Sequence, residues 1–279
     1  MKINLAKSAG FCFGVRRALN IALNSVKSDT KIQMLGDIVH NEDVVRAIKR
    51  LGIEKIDKLR KVKNKTLLIR AHGMPLKTFE KAQILGYKII DATCPMVKEI
   101  HKTARDAELK GYKIIVIGDK NHDEVKGIIG QLKNEAVVID KPTNIPFRKI
   151  KGIKKAAVIV QSTQNIENAL KIVKKLKQCI KNLRFFNTIC RPTRIKQQEI
   201  RIMPLKNDVM VIIGSKTSAN TKRLYEISKS LNPKTFWIQS KNDIKKEWFR
   251  GAKKVGITAG ASTPDYTTNK VIKFIKERL

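Results

Sequence analysis

Apolar residues in this chain form short runs, and between those runs they recur at helical spacing. A short apolar run bounded by turn residues is typical of a buried strand, and strands that alternate with helices indicate βαβ units and a parallel sheet. The pattern predicts strands at residues 32–35, 66–69, 88–90, 113–117, 136–139, 157–160, 183–186, 209–213, 235–238 and 255–257. This number exceeds one ordinary sheet, so we expect an α/β protein with several mostly parallel sheets.

Two further patterns bear on the organisation of the chain. The segments LGYKIIDATC (85–94) and KGYKIIVIGD (110–119) resemble each other, which indicates repeated α/β units. Residues 141–155, KPTNIPFRKIKGIKK, are predicted to form a connecting loop or linker. A chain of 279 residues, 42% of them hydrophobic, can bury about two cores, or more if its domains are small.

The chain has a formal net charge of +35 and four cysteines. That charge favours binding to polyanions such as nucleic acid. A genome-wide bias toward lysine explains the charge as well, because the lysines are spread over nearly every predicted helix. No apolar run approaches the roughly 20 residues of a membrane span, and the first residues lack the apolar stretch of a signal peptide. We therefore expect a cytoplasmic protein without membrane contact, whose cysteines serve metal, redox, catalytic or packing roles.

Polar side chains gather directly after the predicted strands. In open parallel sheets, ligands bind at the carboxyl ends of the strands, so we expect these residues to share one site. Their hydroxyl, amide and histidine groups suit a small, highly charged anion such as a diphosphate, although each residue alone could cap a helix or bond a loop. The set comprises His40, His72, His122, Thr163, Ser218, Asn220 and Ser262. His101, inside a predicted helix, is interpreted as structural.

Three cysteines share one setting, since Cys12, Cys94 and Cys190 each stand just before a predicted helix. A helix N-terminus favours the thiolate that binds metals. Their nearly equal spacing predicts one cysteine from each of three similar α/β domains. Inert packing, a zinc site completed by a histidine and an iron-sulfur cluster with one open iron position all remain compatible with that spacing. Cys179 lies in a helix-period segment and is predicted to pack in or near the core.

Glu124 follows His122 by two residues. Among anion donors a carboxylate fits a proton carrier better than an anion binder, because it repels a phosphate unless it is protonated. The sequence leaves open an alternative, in which Asp123 or Glu124 is an ordinary acidic residue of a first helical turn.

Seven motifs occur in order along nearly the whole chain. They are GFCFGVRRA (10–18), VHN (39–41), AHG (71–73), DATCP (91–95), HDEVKG (122–127), GSKTSAN (214–220) and TAGASTPD (258–265). With these motifs the chain resembles the 4-hydroxy-3-methylbut-2-enyl diphosphate reductases, the family that catalyses the last step of the non-mevalonate isoprenoid pathway.

The resemblance implies three similar α/β domains with mostly parallel sheets around a pseudo-threefold axis. Their ranges would be 12–94, 95–190 and 191–279, the last completed by 1–11. The resemblance also implies a central 4Fe-4S cluster held by Cys12, Cys94 and Cys190.

The implied reaction is a two-electron reductive dehydroxylation of the allylic diphosphate to isopentenyl diphosphate and dimethylallyl diphosphate. By resemblance, Glu124 with Thr163 would serve the proton relay, and the seven polar residues at the strand exits would bind the substrate. A ferredoxin or flavodoxin would supply the electrons, with no specific nucleic acid as partner, and both a monomer and a homodimer stay open.

Two positions depart from the family pattern. Ala219 stands where many members carry a serine, and Lys196 replaces an expected arginine, which keeps the charge but loses a bidentate fork. A rival hypothesis is a basic nucleic-acid-binding protein with a structural zinc site of three cysteines and one histidine. Its support is the net charge.

Overall fold

Twelve strands and ten α-helices alternate along residues 1–28 and 31–278, the part of the chain that the computed structural model describes. The strands are β1 (Lys2–Leu5), β2 (Ile32–Leu35), β3 (Glu54–Ile56), β4 (Lys65–Ile69), β5 (Tyr87–Asp91), β6 (Lys113–Ile117), β7 (Val137–Ile139), β8 (Lys155–Val160), β9 (Asn182–Phe186), β10 (Val209–Ile213), β11 (Thr235–Ile238) and β12 (Lys254–Ala259). The helices are α1 (Phe13–Ser28), α2 (Glu42–Arg50), α3 (Leu76–Ile84), α4 (Pro95–Leu109), α5 (Asp123–Ile129), α6 (Phe147–Ile150), α7 (Ile166–Cys179), α8 (Arg191–Ile202), α9 (Ala219–Leu231) and α10 (Asp265–Arg278).

The described strands form three four-stranded parallel sheets with one repeated order. The orders are β3-β2-β4-β5, β7-β6-β8-β9 and β11-β10-β12-β1. In each sheet one edge strand lies between the two inner strands in the chain. The other edge strand follows the second inner strand in two sheets, and in the third it is the N-terminal β1. The predicted α/β class with several mostly parallel sheets is confirmed.

The chain divides into two compact units. One contains Met1–Arg16, Val39–Ala47 and the chain from Arg191 onward, and it holds the sheet β11-β10-β12-β1. The other contains Arg17–Ile38 and Ile48–Cys190, and it holds the other two sheets. The three predicted domains, 12–94, 95–190 and 191–279 with 1–11, stay a prediction.

Sheet β7-β6-β8-β9 is buried on both faces, which explains why its inner strands are continuous apolar runs. Alternate residues of a strand point to opposite faces. Val158 of β8 therefore packs in one cluster with Ile172 of α7, and its neighbour Ile159 packs in another with Val125 of α5. Burial of each such side chain stabilises the fold by about 1.5–3 kcal/mol.

All ten predicted strands are present, and the two strands that the pattern did not predict are edge strands. β1 is half-exposed and β3 is three residues long and mostly exposed, so neither needs an apolar run. Residues 141–154 lie between β7 and β8 of one sheet and include α6, and Lys155 is the first residue of β8. The segment 141–155 is therefore a connection within that sheet. The two similar segments do not mark equivalent strands, because β5 is an edge strand and β6 an inner one.

The prediction for Cys179 is wrong, because this residue is exposed. It is the last residue of α7 and lies at the margin of the buried stripe formed by Ala169, Ile172, Val173 and Leu176. Among the helices of the described residues, none is long and apolar enough to cross a membrane.

Candidate active site

Each of the three cysteines predicted as ligands is half-buried, follows an edge strand and precedes a helix. Cys12 follows β1 and precedes α1, Cys94 follows β5 and occupies the N-cap position of α4, and Cys190 follows β9 and precedes α8. Pro95 at the first position of α4 starts that helix without needing a hydrogen-bond donor. Among the described residues, the cysteines form no disulfide.

The backbone holds the three cysteines in the same way. Each cysteine N–H donates to the carbonyl of the second residue after the adjacent inner strand. The pairs are Cys12 with Ala261 (3.1 Å), Cys94 with Ala71 (3.0 Å) and Cys190 with Ser162 (3.1 Å). Three thiols on one repeated frame are not expected of residues that merely fill a core.

The exit of β6 carries His122 and Glu124. His122 caps α5, and its Nδ1 accepts the N–H of Glu124 at 3.1 Å. In a neutral ring the proton then lies on Nε2, which makes that atom a donor. The neighbouring Asp123 pairs with Arg70 at 2.6 Å. Asp123 is thus the ordinary charged residue of the first turn, and Glu124 is not.

Glu124 is 1% exposed, and both of its carboxyl oxygens contact Ser162. The Ser162 N–H donates to Oε1 at 2.6 Å, and the Ser162 Oγ lies 2.7 Å from Oε2. Burial raises the pKa of Glu124 above its ordinary value, and the two hydrogen bonds from Ser162 oppose that rise. Burial thus favours the protonated form of this carboxyl group, which is what a proton carrier requires.

Ser162 is the residue that sequence reasoning missed. Thr163 was the predicted partner of Glu124, but its hydroxyl accepts from Gln161 Nε2 at 3.0 Å. Both hydroxyl residues follow β8 directly, so composition alone does not separate them. Position separates them, because Ser162 is the second residue after β8 and its carbonyl accepts the N–H of Cys190.

The exit of β4 brings His72 to the exit of β6. The rings of His72 and His122 meet edge to face, with centroids 5.4 Å apart and planes at 89°. His101 is buried in α4, and its ring lies beside Gly73, after β4, and Gly127 of α5. A Cβ on Gly73 would approach its ring at 2.8 Å, and one on Gly127 at 3.3 Å. These two glycines therefore admit the imidazole.

The other unit carries the remaining predicted donors. Ser262, after β12, donates its hydroxyl to the backbone oxygen of His40 at 3.0 Å. Ser218 caps α9 by accepting the N–H of Thr221 at 3.3 Å, and Ala219 is the first residue of that helix. Asn220 is 4% exposed, and its Nδ2 has no hydrogen-bond partner among the described residues. A buried amide donor of this kind fits an acceptor supplied by a ligand.

The predicted residues occupy equivalent positions after equivalent strands. The fifth residue after β2, β6 and β10 is His40, His122 and Ser218, respectively. The third residue after β4, β8 and β12 is His72, Thr163 and Ser262. One backbone frame thus recurs in all three sheets with different side chains. Counting from the strand ends could have predicted this repeat.

The fold and these sites define a three-sheet parallel α/β protein with thiols at its edge-strand exits. The model of the family described as LytB protein matches residues 3–276. The chain is 39% identical over 279 residues to the 4-hydroxy-3-methylbut-2-enyl diphosphate reductase of Aquifex aeolicus, covering 99% of this chain and 96% of that protein. It is 41% identical over 275 residues to the protein of the same name from Campylobacter fetus, covering 98% and 96%.

Solved structures agree with these relatives. A structure of (E)-4-hydroxy-3-methyl-but-2-enyl diphosphate reductase, described as the terminal enzyme of the non-mevalonate pathway, is 38% identical with a TM-score of 0.72 over 99% of this chain and 100% of that chain. The E-1-hydroxy-2-methyl-but-2-enyl-4-diphosphate reductase of Plasmodium falciparum is 27% identical, with a TM-score of 0.90 over 99% and 88%.

The chain belongs to the LytB protein family. The motif-based prediction of this reductase family is confirmed, and with it the prediction of an enzyme of the oxidoreductase class. These relatives give no support to the nucleic-acid alternative.

Proposed function

We propose that the chain converts 4-hydroxy-3-methylbut-2-enyl diphosphate to isopentenyl diphosphate and dimethylallyl diphosphate by reductive dehydroxylation. The names of its relatives support this proposal. The observation that carries it is the double role of Ser162, which bonds the Glu124 carboxyl group and accepts the N–H of Cys190 through its own carbonyl. A proton carrier and a thiol joined through one residue fit an enzyme that delivers protons and electrons to the same substrate.

We assign a 4Fe-4S cluster to Cys12, Cys94 and Cys190. The donor set fits this group, because three half-buried thiols at helix N-termini can bind three irons and leave the fourth open. When bound, such a cluster would pass electrons from an external donor to the substrate. Grouping of the three sheets around a pseudo-threefold axis is part of this proposal, and the repeated exit frame is its support.

We assign the diphosphate to the donors at the exits of the inner strands, which are His40, His72, His122, Ser218, Asn220 and Ser262. Support comes from the buried Nδ2 of Asn220 and from the tautomer of His122, whose Nε2–H is a donor. The N-terminus of α9, capped by Ser218, adds backbone dipoles that favour negative charge. With Ala219 in place of serine, the backbone N–H takes over one contact.

Glu124 would deliver the proton with which the substrate hydroxyl leaves as water. The overall reaction takes up two electrons and two protons, since the C–O bond breaks, water forms and a C–H bond forms on the allyl group. Burial favours the neutral acid, which does not repel a diphosphate and is ready to donate. Thr163 stays a predicted member of the relay, and Ser162 joins it as the direct partner of Glu124.

A ferredoxin or flavodoxin would supply the electrons. The net charge of +35 favours an acidic partner, and such steering should weaken as salt is added.

The proposal is tested by the metal content of cysteine variants purified without oxygen. Wild-type protein should contain four irons and four sulfides per chain, and Cys94→Ser should lose the cluster and the reduction of substrate. Cys179→Ser is the matched control, because Cys179 is exposed at the end of α7 and should be dispensable. A colourless wild-type protein without iron and sulfide would contradict the assignment, and zinc in its place would indicate a structural metal.

A further inference from the structure

Helix α8 holds the loop that leads into Cys12. Lys196 of this helix is 3% exposed. Its Nζ donates to the backbone oxygens of Gly10 at 3.0 Å and Ala259 at 3.1 Å, and also to that of Ser8. One buried ammonium therefore joins the loop before Cys12 to the end of β12.

Glu199, one turn further along α8, holds the same loop from its donor side. It accepts the N–H of Lys7 at 2.9 Å and the N–H of Ser8 at 3.0 Å, and the Ser8 hydroxyl contacts it as well. Lys196 thus satisfies carbonyls of the loop while Glu199 satisfies its amides. Lys196 and Glu199 together hold residues 7–10, and we call this pair of side chains the clamp.

Three acceptors around one nitrogen match the chemistry of lysine. An ammonium carries three N–H donors on a single atom, whereas a guanidinium spreads its donors in one plane. The replacement of the expected arginine by Lys196 is therefore suited to this loop.

The contacts of Lys196 fit the ammonium form, because only that form offers an N–H donor to each of the three backbone oxygens. Burial lowers the pKa of Lys196 to about 8, while Cys12, Glu199 and Asp265 oppose that change. Without this side chain, three backbone oxygens would lose a donor, and losing a hydrogen bond to a buried acceptor is costly.

The loop has little room to adopt another course. Gly10 has a φ of 89°, which other residues rarely adopt, and a Cβ there would lie 2.6 Å from Asp265 Oδ1. The Gly10 N–H donates to Ala259, the residue whose carbonyl also accepts from Lys196. Two residues on, the Cys12 N–H bonds Ala261. The clamp and these bonds fix the path into Cys12.

We propose that Lys196 and Glu199 are positioning residues that hold Cys12 in the place where it binds metal. The inference rests on the proposed function, in which Cys12 is a cluster ligand. It assigns to this loop a support made of side chains from α8, in addition to the backbone bond that all three cysteines share.

The test is hydrogen exchange, followed by mass spectrometry, on the anaerobically purified protein and its Lys196→Met variant. Peptides that contain residues 6–12 should exchange about tenfold faster or more in the variant. Peptides that contain Cys94 and Cys190 should not change. Lys196→Arg should give an intermediate rate. The variant should also release iron to a chelator faster than the wild type.

Arg194→Met is the matched control, because it removes a positive charge from an exposed position of the same helix. It should leave exchange near Cys12 unchanged. If Lys196→Met does not fold, Glu199→Gln serves in its place and should speed exchange in the same peptides, because a neutral amide is a weaker acceptor for the Lys7 and Ser8 amides.

The proposal is overturned if exchange near Cys12 is unchanged in these variants, if it rises equally around all three cysteines, or if Arg194→Met has the same effect. Because exchange is measured whether or not iron is present, a wild-type protein without iron would contradict the proposed function alone.

Discussion

The exits of β6 and β10 present different chemistry on the same backbone frame. In both, the fifth residue after the strand caps a helix, and the seventh is the second residue of that helix. After β6 these residues are His122 and Glu124, and after β10 they are Ser218 and Asn220. Glu124 is a buried acid bonded to Ser162, whereas Asn220 presents a buried amide donor without a partner among the described residues.

Position and chemistry are therefore set separately at these two exits. The backbone and the helix cap set where the seventh residue lies, and its side chain decides whether that place suits a proton or an anion. Glu124 and Asn220 should therefore fail in different ways when they are changed.

The largest effect is expected at Glu124. Glu124→Gln keeps the size and the acceptor for Ser162 but has no proton to deliver, so single-turnover rates should fall by about 100- to 10,000-fold. Iron content and substrate affinity should stay close to wild type. Near-normal turnover by this variant would refute the proton role.

The reverse is expected of Asn220→Ala. Loss of a hydrogen bond to a charged ligand should weaken substrate binding roughly ten- to hundred-fold, with a smaller change in the single-turnover rate. Binding of the diphosphate substrate, measured by calorimetry without reductant, checks this. If Asn220→Ala lowers the single-turnover rate strongly and leaves substrate affinity unchanged, Asn220 and Glu124 would not have separate roles.

Ser162 and Thr163, at the exit of β8, separate two possible partners of Glu124. The Ser162 hydroxyl bond lowers the pKa of Glu124, so Ser162→Ala should raise that pKa further. If Glu124 is the acid, as proposed, the falling limb of the rate against pH should then move to higher pH. Thr163→Ala should leave the limb in place, whatever its effect on rate, since its hydroxyl bonds Gln161. If the falling limb moves in Thr163→Ala and not in Ser162→Ala, Thr163 would be the partner of Glu124 in place of Ser162.

The smallest effect concerns stability behind the β6 exit. Burial lowers the pKa of His101 from 6.5 to about 4. The unfolded chain therefore binds a proton that the folded protein excludes, so stability is complete above pH 6.5 and is lost as pH falls toward 4. Tm should decline less between pH 7 and pH 5 in His101→Gln than in the wild type. Equal declines would show that His101 does not contribute.

Burial explains which parts of the fold the sequence could predict. The six inner strands are buried and were found from their apolar runs, and the edge strands β5, β7, β9 and β11 carry enough apolar residues to be found as well. The edge strands β1 and β3 are more exposed and carry weaker patterns. The prediction for Cys179 was wrong because, at the end of a helix, a shift of one residue separates the buried stripe from solvent.

The site residues could be predicted where polar or thiol side chains stand a few residues after a strand end. His122, Glu124 and the three cysteines were predicted as site residues in this way, and the structure places them at strand exits. The choice between Ser162 and Thr163 depends on side-chain direction, and the three acceptors of Lys196 come from separate segments of the chain. Such contacts exist only after folding.

The proposed function is tested most directly by anaerobic turnover of 4-hydroxy-3-methylbut-2-enyl diphosphate with a strong one-electron donor. We expect isopentenyl and dimethylallyl diphosphate, with two electrons consumed per product, and almost none from Glu124→Gln. Protein with an intact cluster that binds this substrate and yields neither product would contradict the proposed function.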